Sequence, residues 1–199
     1  VGVLLARDIS SRLKDARFVV DVKSTGLFMT DPVLIANGVK TEYWKTGHSY
    51  IKRRAHELKA QAGFEKSGHY FFNPPVGRGY DDGIIAAIAV LEMLDRAGAT
   101  SMAALHDGLP KTYGSPTMAP HCADDKKYGV VEDIVAAYKA AQARGEKIMG
   151  LAIRDLVTVN GVRVTLEDGT WGLVRASSNK PSLVVVVESP VSEARMRGI

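Results

Sequence analysis

Two dipeptides constrain this chain more than any other feature: Asn160-Gly161 and Asp168-Gly169, each set between short runs of β-branched and apolar residues. Asn-Gly and Asp-Gly supply the positive φ that a tight connection between antiparallel strands requires. The segments around them, 156–159, 163–166, 172–175 and 183–188, read as strands, and 125–144 reads as one long helix. The second half is therefore expected to be α+β, a mostly antiparallel sheet backed by a helix.

The first half has a different rhythm. Segment 4–13 is amphipathic, 17–22 is β-rich, 30–37 is helical in pattern and 40–44 is extended, an alternation that implies an α/β layer structure. Segment 48–62 places Ile51, Ala55, Leu58 and Ala62 at helical spacing, with Lys52, Arg53, Arg54, Glu57 and Lys59 on the opposite face. Segment 63–72 ends in Tyr70-Phe71-Phe72, and Asp81-Asp82-Gly83 leads into an apolar helix over 84–94, two acidic residues suiting the positive end of the helix dipole. Between 97 and 120, Gly98, Gly108, Pro110, Gly114, Pro116 and Pro120 punctuate the chain around a short helix at 101–105. The domain boundary is expected there, dividing the chain into 1–108 and 109–199. Val1-Gly2-Val3 opens directly on a helical run and 192–199 stops within another, so both ends read as cut from a longer chain.

Composition bounds the rest. With 199 residues, 46% of them hydrophobic, the chain can bury a sizeable core in two modest domains. The net charge of +4 suits an acidic ligand, but the basic residues are scattered rather than gathered in one block. The short run Lys52-Arg53-Arg54 fits the wet face of its helix, and no RNA-binding aromatic pattern accompanies it, so no nucleic-acid partner is expected. A single cysteine, Cys122, excludes an intramolecular disulfide framework and a multi-cysteine zinc site, in keeping with a reducing cytosol. No apolar run approaches the roughly 20 residues that cross a bilayer, and no signal-peptide layout opens the sequence. A soluble, cytoplasmic protein with no membrane partner is expected.

Four places carry chemistry. In Glu65-Lys66-Ser67-Gly68-His69, a carboxylate, a hydroxyl and an imidazole alternate, and in an extended segment Glu65, Ser67 and His69 point the same way. Such a set suits a polyhydroxylated ligand, whose hydroxyls both donate and accept; a solvated turn with incidental polarity fits the same residues. Arg175-Ala176-Ser177-Ser178-Asn179-Lys180-Pro181 offers a guanidinium, hydroxyls, an amide and successive backbone N–H groups, which are phosphate-binding materials and equally the ingredients of an ordinary turn. Lys23 follows a strand and His48 opens a helix, where α/β proteins tend to place ligand contacts, though a surface lysine and a helix-start histidine account for both.

Taken together, Trp44-Lys45-Thr46-Gly47-His48-Ser49, Glu65-Lys66-Ser67-Gly68-His69-Tyr70-Phe71-Phe72, Gly79-Tyr80-Asp81-Asp82-Gly83 and Gly172-Leu173-Val174-Arg175-Ala176-Ser177 resemble the α-D-phosphohexomutases, in particular the bacterial phosphomannomutase/phosphoglucomutase branch. The resemblance spans practically the whole chain as that family's third and fourth domains. It implies a three-layer α/β sugar-binding domain followed by a smaller α+β phosphate-binding domain. It implies Glu65 and Ser67 as sugar contacts, with His69 supporting the loop or approaching the ligand. Lys23 and His48 would line the cleft near the reacting sugar, and Arg175 and Ser177 would hold the phosphate that is not being transferred. There the family continues closer to Asn-Thr-Thr-Pro, whereas this chain has Ser178-Asn179-Lys180-Pro181, which leaves the separate roles of Ser178, Asn179 and Lys180 open.

The resemblance further implies a parent enzyme that interconverts hexose 1-phosphate and hexose 6-phosphate of mannose or glucose, using Mg2+ and a bisphosphorylated hexose activator. The family's phosphoserine loop and aspartate-rich magnesium loop have no counterpart here. No catalytic or metal-ligating residue is thus expected in this chain, which would bind phosphorylated hexoses without turnover and partner the N-terminal domains of its parent. The linker at 97–120 would be the hinge of a mobile fourth domain. The alternatives are a phosphoglucosamine mutase, against which His69-Tyr70-Phe71-Phe72 and Asp81-Asp82-Gly83 weigh, and a non-catalytic phosphosugar-binding module, which the upstream reading frame would identify.

Overall fold

A computed structural model describes residues 1–99 and 101–199; Thr100, within the punctuated stretch 97–120, lies outside the described residues. The chain divides into two compact units, Val1–Pro110 and Lys111–Ile199.

The first unit runs α1 (Gly2–Arg12), β1 (Arg17–Asp21), α2 (Leu27–Thr30), α3 (Pro32–Ala36), β2 (Lys40–Trp44), α4 (His48–Glu57), β3 (Ala62–Phe64), β4 (Tyr70–Phe72), α5 (Gly83–Arg96) and α6 (Met102–Asp107). Its sheet has the order β2-β1-β3-β4, with β1 parallel to both β2 and β3 and with β4 antiparallel at the edge. Because side chains alternate along each strand, β1 serves two layers. Val19 and Phe71 point to one face, where Ile51 and Ala55 of α4 close a buried cluster with Ala60. The opposite face carries Phe18, Phe64, Tyr70 and Phe72 and is met by Phe28 of α2, with ring centroids 5.4–6.3 Å apart. The start of α1 rests there, since a Cβ on Gly2 would lie 3.2 Å from the Phe28 ring. Helices on both faces make this the three-layer α/β arrangement that the motifs implied.

Two helix limits differ from the periodicity. The helical pattern at 30–37 is split between the last residue of α2, Thr30, and α3, because Pro32 lacks the N–H that a through-going helix needs. Asp31 instead caps α3, accepting from Val33 N at 3.1 Å and Leu34 N at 3.2 Å. The pattern at 48–62 ends at Glu57, after which Lys59 takes a left-handed φ of 52° and Ala62 joins β3. Pairing of β3 with the central strand outweighs the local 3.6-residue period.

The second unit contains β5 (Tyr113–Gly114), α7 (Lys127–Ala143), β6 (Lys147–Ile148), β7 (Leu151–Val157), β8 (Val162–Leu166), β9 (Trp171–Ala176), β10 (Leu183–Ser189) and α8 (Glu193–Gly198). Its six strands form an antiparallel sheet in the order β5-β10-β9-β8-β7-β6. Asn160-Gly161 and Asp168-Gly169 connect β7 to β8 and β8 to β9, with Gly161 at φ 74° and Gly169 at φ 86°. Val162, Val164 and Leu166 pack with Ile134, Val135 and Tyr138 of α7, the helix that backs the sheet. β7 begins earlier than expected, at Leu151, across an irregularity between Ile153 and Asp155. On the other face of β8 and β9, buried Arg163 stacks 3.5 Å over the Trp171 ring, and Trp171 Nε1 donates to Glu188 at 3.0 Å. A fixed cation is thus buried against an aromatic face. Among the described residues no helix is long and apolar enough to cross a membrane.

Candidate functional site

Three parallel strands that start at one edge of a sheet also end at one edge, and ligand contacts of α/β sheets gather at their carboxyl ends. In the first unit the loops after β1 and β3 carry Lys23 and Glu65, and the loop after β2 leads into His48, the first residue of α4. The fold thus brings to one sheet edge residues that lie far apart in the sequence.

The centre of this edge is Asp21, the last residue of β1, wholly buried. Its Oδ1 accepts from the Ser24 hydroxyl at 2.6 Å and from Lys66 N at 3.2 Å. Its Oδ2 accepts from the Thr46 hydroxyl at 3.2 Å and lies 3.4 Å from the Lys23 ammonium. Lys23 is half-buried, and His48, the first residue of α4, is exposed behind Gly47.

Residues 65–69 are not an extended segment. They form the turn of the β3–β4 hairpin, closed by Glu65 N to His69 O and Gly68 N to Glu65 O, both 2.9 Å. Alternation therefore does not set the directions of Glu65, Ser67 and His69; the turn does. Glu65 is 6% exposed while Ser67 and His69 are exposed. Ser67 donates its hydroxyl to Glu65 Oε2 at 3.2 Å, and Glu65 Oε1 is buried with no hydrogen-bond partner among the described residues. A buried acceptor left without a donor costs about 1–3 kcal/mol. The His69 Nδ1 lies 2.7 Å from Asp81 Oδ2, which leaves Nε2 as the ring nitrogen for any ligand. The two adjacent aspartates divide their work, since Asp82 caps α5 through Ile84 N and Ile85 N.

In the second unit the candidate residues sit where β9 leaves the sheet. Arg175 is 8% exposed, and its Nη1 donates to the Ala176 carbonyl at 2.9 Å. Ser177 N bonds Ser182 O at 3.0 Å, and Ser177 Oγ accepts from Asn179 N at 3.4 Å. Ser178, Asn179 and Lys180 form the exposed tip. The loop is pinned from outside by Cys122 N to Pro181 O and by Leu183 N to Pro120 O. Lys127, 4% exposed at the head of α7, donates to the Lys180 carbonyl at 3.1 Å and to Asp124 at 2.6 Å. The loop therefore keeps backbone groups and hydroxyls beside a fixed guanidinium, the donor set an anionic oxygen cluster requires. Among the described residues no three His, Cys, Asp or Glu side chains gather to hold a metal ion.

Asp21 and Lys127 were not singled out from the sequence, and Asp81 figured there only as part of the helix start Asp81-Asp82-Gly83, not as a partner of His69. Asp21 left a signal there: an acidic residue closing the run Phe18-Val19-Val20.

The family description "Phosphoglucomutase/phosphomannomutase, alpha/beta/alpha domain III" matches residues 1–113, and "Phosphoglucomutase/phosphomannomutase, C-terminal domain" matches residues 121–199. The chain belongs to the phosphoglucomutase/phosphomannomutase family. Among its relatives, a phosphomannomutase/phosphoglucomutase of Pseudomonas aeruginosa is 34% identical over 191 residues, which cover 96% of this chain and 38% of that protein. A phosphoglucomutase of Neisseria gonorrhoeae is 32% identical over 193 residues, again 96% of this chain and 38% of the relative. The crystal structure of a phosphoglucomutase/phosphomannomutase family protein from Burkholderia thailandensis superposes with a TM-score of 0.77 at 29% identity, covering 98% of this chain and 37% of that one. The chain thus spans well under half the length of these members of the phosphoglucomutase/phosphomannomutase family and corresponds to their domain III and C-terminal domain.

Proposed function

We propose that this chain is the sugar- and phosphate-recognising part of a cytoplasmic phosphomannomutase/phosphoglucomutase, an enzyme that interconverts hexose 1-phosphate and hexose 6-phosphate through a bisphosphorylated sugar. The domain at 1–108 recognises the sugar and the domain at 109–199 holds the phosphate that is not reacting. The observation that carries the reading is the Glu65 carboxylate: buried, ionisable, steadied by Ser67 through one oxygen and open to a donor at the other. A sugar hydroxyl is a donor of the right kind. The Arg175–Ser177 loop supports the phosphate half of the reading through its fork and its hydroxyl.

Transfer itself needs a positioned phosphoryl donor and neutralisation of the charge that develops on it. Mg2+ supplies that neutralisation in the parent; among the described residues of this chain no three His, Cys, Asp or Glu side chains gather to hold a metal ion. The chain on its own binds phosphohexose and does not turn it over; its N-terminal partner domains complete the enzyme, with a bisphosphorylated hexose as activator.

Calorimetric titration with glucose 6-phosphate, mannose 6-phosphate and unphosphorylated glucose tests this. Both phosphosugars bind and glucose does not. Glu65→Ala weakens binding by about 1.5–3 kcal/mol through loss of a charged acceptor, with circular dichroism unchanged. Undiminished binding by that variant, or mutase turnover above background by this chain alone with Mg2+ and glucose 1,6-bisphosphate, contradicts the reading.

A further inference from the structure

We infer that Asp21 is the positioning residue of the sugar-recognition edge: one buried carboxylate that holds all three strand-end loops in register. The inference rests on the functional reading above and deepens it. The partners of Asp21 come from all three loops. Ser24 and Lys23 come from the loop after β1, Thr46 from the loop after β2, and Lys66 from the turn after β3. Thr46 stands two residues before His48, and Lys66 follows Glu65 directly. The sequence separations of the Thr46 and Lys66 bonds, 25 and 45 residues, show that no local turn motif produces them; only the Ser24 bond, at 3 residues, lies within a turn, which Ser24 N closes on Asp21 O.

The chemistry singles out a carboxylate. Buried charge persists only where it is paired and hydrogen-bonded, and Asp21 meets both conditions through the Lys23 ammonium and three donors. An ionised carboxylate is acceptor-only and offers about four lone-pair sites, matching one ammonium, two hydroxyls and one amide N–H. An amide in its place would turn a donor towards at least one of these donors. The ion pair also fixes Lys23 at the strand end with further N–H groups available to a ligand, since an ammonium has three. Recognition of a small polar sugar depends on such groups being held before it arrives, because each loop ordered on binding subtracts from affinity.

Of Lys23, His48 and Glu65, which the family resemblance implies as cleft residues, Asp21 touches only Lys23, so its effect on His48 and Glu65 is indirect and must be read from the loops themselves. Amide hydrogen exchange on the 199-residue chain provides that readout without any ligand. In the wild type the Lys66 amide, on an exposed loop, is protected; in Asp21→Asn it exchanges at least about tenfold faster, and resonances of 22–26, 45–48 and 65–69 shift together while Val19 and Phe71 stay. Titration with glucose 6-phosphate then shows affinity lowered at least about tenfold. Thr46→Val removes one donor from a half-buried hydroxyl and serves if Asp21→Asn does not fold: it shifts 45–48 and weakens binding severalfold. An unprotected wild-type Lys66 amide, or disturbance confined to 22–26, overturns the anchoring. Loop shifts without loss of affinity in a wild type that binds overturn the positioning role. If the wild type does not bind glucose 6-phosphate while Lys66 behaves as described, the functional reading fails and the anchoring stands.

Discussion

Replacing Gly161 by alanine tests how closely the β7–β8 hairpin supports the Arg175 loop. Gly161 sits at φ 74°, and a Cβ there would lie 2.1 Å from the Val174 carbonyl oxygen and 2.7 Å from Arg175 Cα. These are backbone atoms of the neighbouring strand, so no rotamer change relieves the overlap. The left-handed conformation alone costs a non-glycine residue about 1–2 kcal/mol, and forced displacement of packed neighbours adds about 1–3 kcal/mol. Gly161→Ala should thus destabilise the second unit by about 2–5 kcal/mol. Gly145, after α7, is the internal control: its φ is 67°, yet nothing lies within 4 Å of its Cβ position, so Gly145→Ala should cost only the conformational part, about 1–2 kcal/mol. Urea unfolding followed by Trp171 emission in a Trp44→Phe background isolates this unit, as these are the chain's 2 tryptophans; midpoint shifts at constant slope report stability. The displaced strand should also lower affinity for glucose 6-phosphate through Arg175. Equal destabilisation by the two alanines would refute the close-approach argument.

Arg175→Lys keeps the charge and removes the planar fork, so affinity for glucose 6-phosphate and glucose 1-phosphate should fall alike, by about tenfold; loss for one isomer only would contradict a shared phosphate site. Asp82→Ala removes the acceptor for Ile84 N and Ile85 N and should cost about 1 kcal/mol in denaturant unfolding of the first unit, with Asp82→Asn close to wild type. Burial acts to raise the pKa of Asp8, but hydrogen bonds from Arg96, 2.8 Å from each oxygen, and the charges of Arg12 and Arg96 outweigh it and hold the carboxyl below its ordinary 3.8. A depressed folded pKa stabilises at pH above the unfolded value and is lost as pH falls through the folded one. Unfolding midpoints should therefore drop below about pH 4, and Asp8→Asn should flatten that drop; an unchanged slope would show that the pair is not responsible.

The sequence by itself determined the fold class of each half, because the signals are short-range. Asn160-Gly161 and Asp168-Gly169 impose positive φ whatever surrounds them, and the period of Ile51 and Ala55 buries one face of a helix. The four motifs also carried the family, since their order along the chain needs no geometry. Local signals failed where pairing between distant segments competed with them. Ala62 has helical spacing from Leu58 yet joins β3, because the central strand β1 offers its backbone a parallel partner. Glu65, Ser67 and His69 alternate as in a strand yet lie in a turn, because β3 must reverse to pair with β4. Arg163 is charged yet buried, because the register of β8 on β9 sets it over Trp171. Only the tertiary structure decided that Asp21 would meet Thr46 and Lys66. Those contacts follow from parallel strands ending at a common edge, a consequence of sheet order that no window of a few residues contains.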